Sequence, residues 1–347
     1  MESDSETSIG ILDGRYILMN RLGEGSSSQV FKVKDSLSNK IYAAKVFITY
    51  SQLIEKEIEK EIEHNKIISQ NINNEFPNFI KYITSSVGPF ELRNDSQGSN
   101  TPQTKAYIIF ELGTKGTLLD YITCKENLDE RFVKVIFIEI AKAVRYLHKL
   151  GLCHKDLKLD NIVLSGEEFI VKLLDFGFSS KIVRTIDGRK KYQTGKVGTK
   201  GFQAPEIIKN IPYNGEKVDI FSLGVILFFL RTGLRGFKEA RYYNLYIAKD
   251  PTDLLYNLIR DEKTDTYWKI LEKNLSPKIK ELSEQFRDLY LKMVAYNPKE
   301  RPTLDEILND DYFNDITALT QDQLHALKQE IITEFRNRES LIKNRKI

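Results

Sequence analysis

The spacing of the apolar residues changes from a strand period to a helical period part-way along this 347-residue chain, and this change most restricts its fold. Short β-branched and aromatic runs predict strands at 16–22, 30–35, 41–47, 79–85 and 107–110. Among them, isoleucines at helical spacing in 54–69 predict one helix. After Thr117 the helical period dominates, as in 132–150 and 219–230. This order predicts an α+β protein of two unequal lobes, the first small and β-rich and the second mostly α-helical.

Composition narrows the class of protein. The hydrophobic fraction of 41% is that of a globular chain with a sizeable core. A net charge of +3 is small for this length, so no nucleic-acid partner is expected. The most apolar run, 220–230, is about half the length of a membrane span, so no membrane segment is expected. Cys124 and Cys153 form no CxxC pair, which predicts no disulfide framework, no structural metal, and a cytoplasmic location with the nucleus as alternative.

The two ends of the chain differ from its centre. Residues 1–15 are polar and acidic, which predicts a disordered tail, and 87–104 has the composition of a surface loop. The basic segment 314–347 contains a predicted helix, because Thr320 and Gln323 are spaced as a capping box. Two alternatives stay open for this tail: it packs on the larger lobe, or it binds a regulator or acts as an autoinhibitory arm.

A glycine-rich stretch lies between the first two predicted strands, and it reads Leu22-Gly23-Glu24-Gly25-Ser26-Ser27-Ser28-Gln29-Val30. Glycine lacks a Cβ atom, so backbone N–H groups there can approach phosphate oxygens closely. A dinucleotide-binding loop would be followed by a helix, whereas here a strand follows. The stretch therefore predicts a flap over a nucleotide, and an ordinary turn is the alternative.

A lysine lies inside the predicted strand Ala43-Ala44-Lys45-Val46. Glu61, 16 residues later in the predicted helix, is one candidate partner for its ammonium group, and Glu57, one turn earlier, is the other. A paired lysine would direct its charge at the α- and β-phosphates of a nucleotide. A lysine facing solvent is the alternative.

Four polar motifs follow one another in the second part of the chain. The run 154–161 (HKDLKLDN) is followed, 14 residues after Asn161, by Asp175-Phe176-Gly177, then by Ala204-Pro205-Glu206 and by 219–224 (DIFSLG). Each polar residue of these motifs could by itself be a solvated loop residue. Together, at these fixed positions, the polar residues have no common structural role. On these motifs the chain resembles the eukaryotic protein kinase family from about Tyr16 to Phe313.

The resemblance implies a two-lobed protein kinase fold over 16–313, with an N-lobe at 16–112 and a C-lobe at 113–313. It implies transfer of the γ-phosphoryl group of ATP, with Mg²⁺, to protein substrates. The segments 156–158 (DLK) and 198–203 (GTKGFQ) resemble the serine/threonine type, closest to the calmodulin-dependent and AMP-activated group. The rival is a pseudokinase scaffold, whose usual mark is loss of the lysine or of the two aspartates that are present here as Lys45, Asp156 and Asp175.

The resemblance also implies residue roles in phosphoryl transfer. Asp156 would accept or orient the proton of the attacking hydroxyl, and Lys158 would neutralise the γ-phosphoryl group. Asn161 and Asp175 would supply the oxygen ligands that Mg²⁺ prefers. The residues after Glu61 match the family pattern better than those after Glu57, which favours Glu61 as the partner of Lys45.

Nucleotide-binding positions follow from the same resemblance. Adenine would hydrogen-bond the backbone of Glu111 and Gly113. Apolar side chains would enclose its ring: Leu22, Val30, Ala43 and Val163. Gly23 and Gly25 would lie over the phosphates.

Three further expectations concern the support of the site. Asp219 would anchor the catalytic loop, and Glu206 would form a buried salt bridge with Arg301. The basic segment after Gly177 carries Thr194, a candidate phosphorylation site with Thr185 as the second candidate, and a phosphate there would draw the surrounding cations together. A solvated, mobile loop is the alternative for this segment.

Overall fold

A computed structural model describes residues 10–25, 27–47, 52–73, 77–87, 92–93, 106–125, 128–185, 191–233, 254–274 and 282–345. Most of the predicted loop at 87–104 lies outside these residues. The chain divides into two compact units, one of Met1–Asn74 and Phe79–Thr114, and the other of Glu75–Asn78 and Lys115–Ile347. The sequence predicted a single boundary after residue 112. Residues 75–78 belong to the second unit because Asn78 Nδ2 donates to Val171 O (2.9 Å) and Asn78 O accepts from Leu173 N–H (2.9 Å).

In its described residues, the first unit contains a seven-stranded antiparallel sheet and one helix. Its elements are β1 (Gly10–Leu12), β2 (Tyr16–Glu24), β3 (Ser28–Asp35), β4 (Ile41–Phe47), α1 (Gln52–Asn71), β5 (Tyr82–Ser86), β6 (Leu92–Arg93) and β7 (Tyr107–Glu111). The strand order is β5-β7-β4-β3-β2-β1-β6. The five predicted strands and the predicted helix are present, with ends within three residues of the prediction. One apolar cluster on the sheet is centred on Leu18, Val33 and Ile109, and a second joins α1 to it through Ile58 and Ile62.

The prediction of a disordered tail over 1–15 is wrong for its last residues. Gly10–Leu12 form β1, which pairs with β2, and Leu12 is fully buried. Asp13 and Gly14 make the turn between the strands with positive φ angles of 52° and 63°. A strand of three residues is too short to show an alternating pattern, so the sequence gives no sign of it. Residues 1–9 lie outside the described part.

The second unit is mostly helical. It contains α2 (Leu118–Cys124), α3 (Glu130–Lys149), β8 (Leu152–Cys153), β9 (Ile162–Ser165), β10 (Ile170–Leu173), β11 (Ser180–Lys181), α4 (Pro205–Ile208), α5 (Gly215–Thr232), α6 (Leu254–Arg260), α7 (Thr264–Asn274), α8 (Glu284–Met293), α9 (Leu304–Leu308), α10 (Asn314–Thr317) and α11 (Gln321–Arg345). β9 pairs with β10 and β8 with β11, both antiparallel. The apolar run 220–230 lies in α5, of which every residue except Glu216 and Lys217 is buried. Within the described ranges, no helix is both long and apolar enough to cross a membrane.

The C-terminal helix α11 packs on the second unit. Thr320 and Gln323 form the predicted capping pair, since Thr320 N–H donates to Gln323 Oε1 (2.9 Å) and Gln323 N–H donates to Thr320 Oγ1 (3.3 Å). Its buried face includes Leu327, Ile331 and Phe335 and lies against α2. The structure therefore contains the first of the two alternatives for this tail, in which it packs on the larger lobe.

Candidate active site

In the first unit, Lys45 of β4 contacts Glu61 of α1. The distance from Lys45 Nζ to Glu61 Oε1 is 2.7 Å, and the two side chains are 13% and 4% exposed. Glu57 instead pairs with Lys60 (3.1 Å), and of these two residues Glu57 is exposed and Lys60 is half-buried. Glu61 is the partner because it lies beside Ile58 and Ile62 on the buried face of α1. A buried carboxylate needs an opposite charge, so this pair fixes the position of the ammonium group.

The glycine-rich stretch is the connection between β2 and β3. Gly25 N–H donates to Ser28 O (2.8 Å), which closes the turn. A Cβ atom at Gly23 would meet no atom of the described residues within 4 Å, and one at Gly25 would meet Ser28 at an ordinary 3.7 Å. Packing in this part of the protein therefore does not require either glycine. The space around both glycines allows the close approach of a ligand that the flap prediction requires, and the observed turn equally fits the alternative.

The predicted adenine-binding residues of the first unit lie on or beside the same sheet. Leu22 on β2 is 47% exposed. Val30 on β3 lies opposite Lys45 in register, and Ala43 on β4 lies opposite Phe110 of β7. Glu111 ends β7, and its N–H donates to Lys81 O (2.8 Å). Gly113 follows two residues later.

In the second unit, the loop 154–161 is held by Asp219 of α5. Asp219 is fully buried, and its carboxylate accepts hydrogen bonds from His154 N–H (2.8 Å) and Lys155 N–H (2.7 Å). His148 Nε2 lies 2.8 Å from the same carboxylate. The predicted contact between Asp219 and this loop is therefore present, and it ties the loop to the most buried helix of the unit.

Asp156 is buried at the centre of this loop with its carboxylate oriented by two groups. Thr199 N–H donates to Asp156 Oδ1 (2.7 Å), and Asn161 Nδ2 donates to Asp156 O (2.8 Å) and Oδ2 (3.2 Å). Lys158 Nζ donates to Thr199 Oγ1 (2.9 Å) and lies 3.8 Å from Asp156 Oδ2. A carboxylate and an ammonium group are thus held side by side, which suits one to accept a proton and the other to offset phosphate charge.

Asn161 and Asp175 lie on backbone segments that are joined to each other. Leu174 N–H donates to Asn161 O (3.1 Å), and Leu174 O lies 3.1 Å from His154 Nε2. Asp175 has a positive φ of 64°, and the next residue, Phe176, is buried against the His154 ring at 5.1 Å. Because Asn161 uses its Nδ2 group toward Asp156, its amide oxygen is the atom left to act as a ligand. An amide oxygen and a carboxylate are the ligand types that Mg²⁺ takes, so these residues fit the ion.

The remaining predicted positions of this unit lie on β9 and after β11. Val163 is buried in β9, where it forms an isolated bridge with Thr117. Thr194 is exposed, and Gln193 before it exchanges both backbone hydrogen bonds with Tyr213 (2.8 and 2.9 Å). Ser180 Oγ also donates to the Gln193 side chain (2.7 Å). The sequence analysis did not single out Gln193, because a lone glutamine in a polar loop carries no pattern.

Gly198 is a position where the backbone of the site admits only glycine. Its φ is 81°, and a Cβ atom there would lie 2.6 Å from Lys155 O. The Gly198→Ala variant should therefore push residues 198–199 away from the loop and weaken the bond from Thr199 to Asp156. Since a displacement of about 1 Å can cost 10²-fold in rate, we expect kcat to fall by about that factor. Steady-state kinetics measures this.

The matched control for Gly198 is Gly195→Ala. Gly195 also has a positive φ, of 104°, but a Cβ atom there would meet nothing within 4 Å among the residues that the structure places. The control thus carries the backbone strain without the collision. Equal losses of kcat in the two variants would show that strain alone, and not the contact with Lys155, decides the effect.

Comparisons with known proteins agree with this geometry. Residues 16–313 match a family model described as "Protein kinase domain". Testis-specific serine/threonine-protein kinase 1 of Mus musculus is 30% identical over 301 residues, which cover 85% of this chain and 70% of that protein. SNF-related serine/threonine-protein kinase of Rattus norvegicus is 37% identical over 206 residues, 59% of this chain and only 24% of that protein. Testis-specific serine/threonine-protein kinase 2 of Mus musculus is 28% identical over 303 residues, with 86% and 73% covered.

Proposed function

The chain belongs to the protein kinase family, and from this membership we propose that it is an active serine/threonine kinase that transfers the γ-phosphoryl group of ATP to protein hydroxyl groups. The observation that carries the proposal is the arrangement around Asp156, whose carboxylate is held by Thr199 and Asn161 beside Lys158. Names of relatives support the serine/threonine type and a likeness to SNF-related kinases. An inactive scaffold would have no use for this arrangement or for the Lys45–Glu61 pair.

The side chains around Asp156 are proposed to act on the attacking hydroxyl group of the protein substrate. Asp156 orients the hydroxyl and takes its proton as the oxygen–phosphorus bond forms and the bond from the γ-phosphorus to the bridging oxygen of ADP breaks. Thr199 N–H and Asn161 Nδ2 keep the Asp156 carboxylate in one orientation, so little reorganisation accompanies the step. Lys158 supplies positive charge beside the carboxylate while negative charge develops on the leaving group.

Nucleotide-binding and metal-binding roles are proposed for each unit by itself. Lys45, fixed by Glu61, is proposed to bind the α- and β-phosphates, and the Gly23–Gly25 turn to cover them. Glu111 and Gly113 are proposed to bind adenine. When bound through Asn161 and Asp175, Mg²⁺ neutralises charge on the phosphate oxygens. These roles follow from the family resemblance, and the donor types and the contacts within each unit are compatible with them.

Transfer of radiolabelled phosphate from Mg-ATP to casein or myelin basic protein tests the proposal. The wild-type protein should label serine or threonine, and the Asp156→Asn variant should not. Binding of Mg-ATP without transfer to any protein, including after treatment with an upstream kinase, would contradict the proposal and support a scaffold.

We also propose a reducing location, the cytoplasm or the nucleus, because the only two cysteines are both buried as thiols.

We propose that phosphorylation of Thr194 raises activity. The hydroxyl is exposed and follows Gln193, which is already fixed on Tyr213, so a phosphate there would draw the nearby cations Lys191 and Lys196 onto an ordered backbone. The Thr194→Ala variant should lose about tenfold in kcat relative to the phosphorylated wild type. Thr185→Ala is the control, since it removes another threonine of the same segment. Full activity of Thr194→Ala would exclude this role.

A further inference from the structure

The last turns of α11 contact the residues that support strand β9, the strand that follows the catalytic loop. Arg338 is fully buried although it carries a charge. Its Nη1 group donates to Tyr121 O (2.8 Å) and Lys125 O (2.9 Å), and its Nε group donates to Glu334 (2.8 Å). These carbonyls belong to the C-terminal end of α2, which a cation stabilises. Arg338 therefore fixes the end of α2 to α11.

Three aromatic rings continue this contact towards the turn between β9 and β10. Phe335, 1% exposed, lies 5.0 Å from the Tyr121 ring and 5.6 Å from the Phe169 ring, between ring centres. The Tyr121 and Phe169 rings are 5.9 Å apart in an edge-to-face arrangement. Tyr121 OH also donates to Lys115 O (3.0 Å). One side chain of α11 thus packs on both α2 and the β9–β10 turn.

The side chain of Lys115 contacts α11, and the backbone of Lys115 is hydrogen-bonded to β9. Its ammonium group lies 3.0 Å from Glu167 and 3.4 Å from Glu339 of α11, above the Phe169 ring. The pKa of Lys115 is raised, chiefly by the hydrogen bond to Glu167 and further by Glu339, so the group stays charged at neutral pH. Its N–H donates to Leu164 O (3.0 Å), and Leu164 N–H donates to Gly116 O (3.0 Å). Residues 115–116 are therefore hydrogen-bonded to β9, and Thr117 forms an isolated bridge with Val163 of the same strand.

We propose that the C-terminal turns of α11 are a positioning element for nucleotide binding, with Glu339 and Arg338 as the positioning residues. The connection runs from Glu339 through Lys115 to β9, which carries Val163 and begins directly after Asn161. Those two residues are assigned above to adenine and to Mg²⁺, so the inference rests on the proposed function. Asp156 is held by Thr199 and the loop by Asp219 of α5, and neither lies on this connection, so we expect the effect on nucleotide binding to exceed the effect on the chemical step.

The test compares Glu339→Gln with Lys343→Gln in the full chain. Glu339 also pairs with Lys343 (2.9 Å), so the second variant removes the other partner of the same carboxylate and leaves Lys115 in place. We expect Glu339→Gln to raise KM for ATP about fivefold with kcat unchanged within about twofold, and Lys343→Gln to raise neither. The Kd of a non-hydrolysable ATP analogue with Mg²⁺ should rise by the same factor. Thermal unfolding midpoints of the two variants should agree, because both groups lie at the rim of the contact.

A double-mutant cycle with Lys115→Met identifies the route. If Glu339 acts through Lys115, the double variant has the same KM for ATP as Lys115→Met alone. Additive effects would overturn the proposed route, and an unchanged KM in Glu339→Gln would overturn the proposal itself. A KM increase of equal size in Lys343→Gln would overturn it too. If the folded wild-type protein bound no Mg-ATP analogue, both the proposed function and this inference would fail. If the wild-type protein bound the analogue and Glu339→Gln bound it equally well, only this inference would fail.

Discussion

We expect the Asp156→Asn variant to turn over about 10³-fold more slowly than the wild-type protein, since loss of a positioned general base costs about this factor. The substitution removes the atom that accepts the proton and keeps the size of the side chain. The introduced carbonyl oxygen can still accept from Thr199 N–H, and the bond from Asn161 Nδ2 to the backbone oxygen of residue 156 remains. The introduced amide nitrogen cannot accept, so only the longer bond from Asn161 Nδ2 (3.2 Å) is lost. The loop should therefore keep its shape, and the loss should fall on kcat. Steady-state kinetics with Mg-ATP and a protein substrate measures it.

The control for this prediction is Glu168→Gln, which neutralises one carboxylate on the exposed turn between β9 and β10. It should keep wild-type kcat. Binding of Mg-ATP, measured by calorimetry, should be preserved in both variants, because Asp156 is assigned to the hydroxyl and not to the metal. If Asp156→Asn retained more than about a tenth of the wild-type kcat, Asp156 would not be the group that takes the proton.

The largest expected effect on stability comes from Arg301. Its side chain is fully buried and forms two parallel bonds with Glu206, Nη1 to Oε1 at 2.6 Å and Nη2 to Oε2 at 2.8 Å. It also donates to Ala295 O (2.8 Å) and Lys217 O (2.9 Å). In Arg301→Met these acceptors lose their donor and the Glu206 charge is left buried. We expect the free energy of unfolding of the second unit to fall by about 3–5 kcal/mol.

Thermal unfolding checks this prediction, with an expected decrease in Tm of roughly 6 to 20 °C for a unit of this size. Arg145→Met is the control, since Arg145 pairs with Asp305 (2.9 Å) at the surface, where such pairs contribute about 0–1 kcal/mol. The double variant Glu206→Met/Arg301→Met should recover part of the loss, because no unpaired charge remains. A Tm for Arg301→Met equal to that of the Arg145→Met control would refute the expected effect.

Local pattern predicted five strands of the first unit and the helices α1, α3, α5 and α11. The runs that became β2, β3, β4 and β7 are short and rich in β-branched and aromatic residues, a local property that shows in the sequence. The capping pair Thr320–Gln323 spans three residues, and so the sequence alone indicates it. In contrast, β1 was missed because its three residues are stabilised by pairing with β2 and not by their own pattern.

Contacts between residues far apart in the sequence came from the family resemblance or from the structure, and not from local pattern. Glu206 and Arg301 lie 95 positions apart, and they were paired in advance only through the family resemblance. Gln193 with Tyr213, and Arg338 with the end of α2, have no motif of their own and were not predicted. The choice between packing and a regulatory arm for 314–347 was likewise left open by the sequence, since one apolar helical face fits both.

The sequence by itself determined the family, the order of the elements and the identity of the reactive groups, because the motifs and the hydrophobic periods are local properties of the chain. Only the tertiary structure decided which residue the side chain of each of these groups contacts. Glu61 and Glu57 lie one helical turn apart, and the packing of α1 through Ile58 and Ile62 selected Glu61 for Lys45. Glu339 reaches Lys115 across 224 positions because Arg338 and Phe335 dock α11 on α2. Such pairings follow from the burial of whole faces, which no short stretch of sequence specifies.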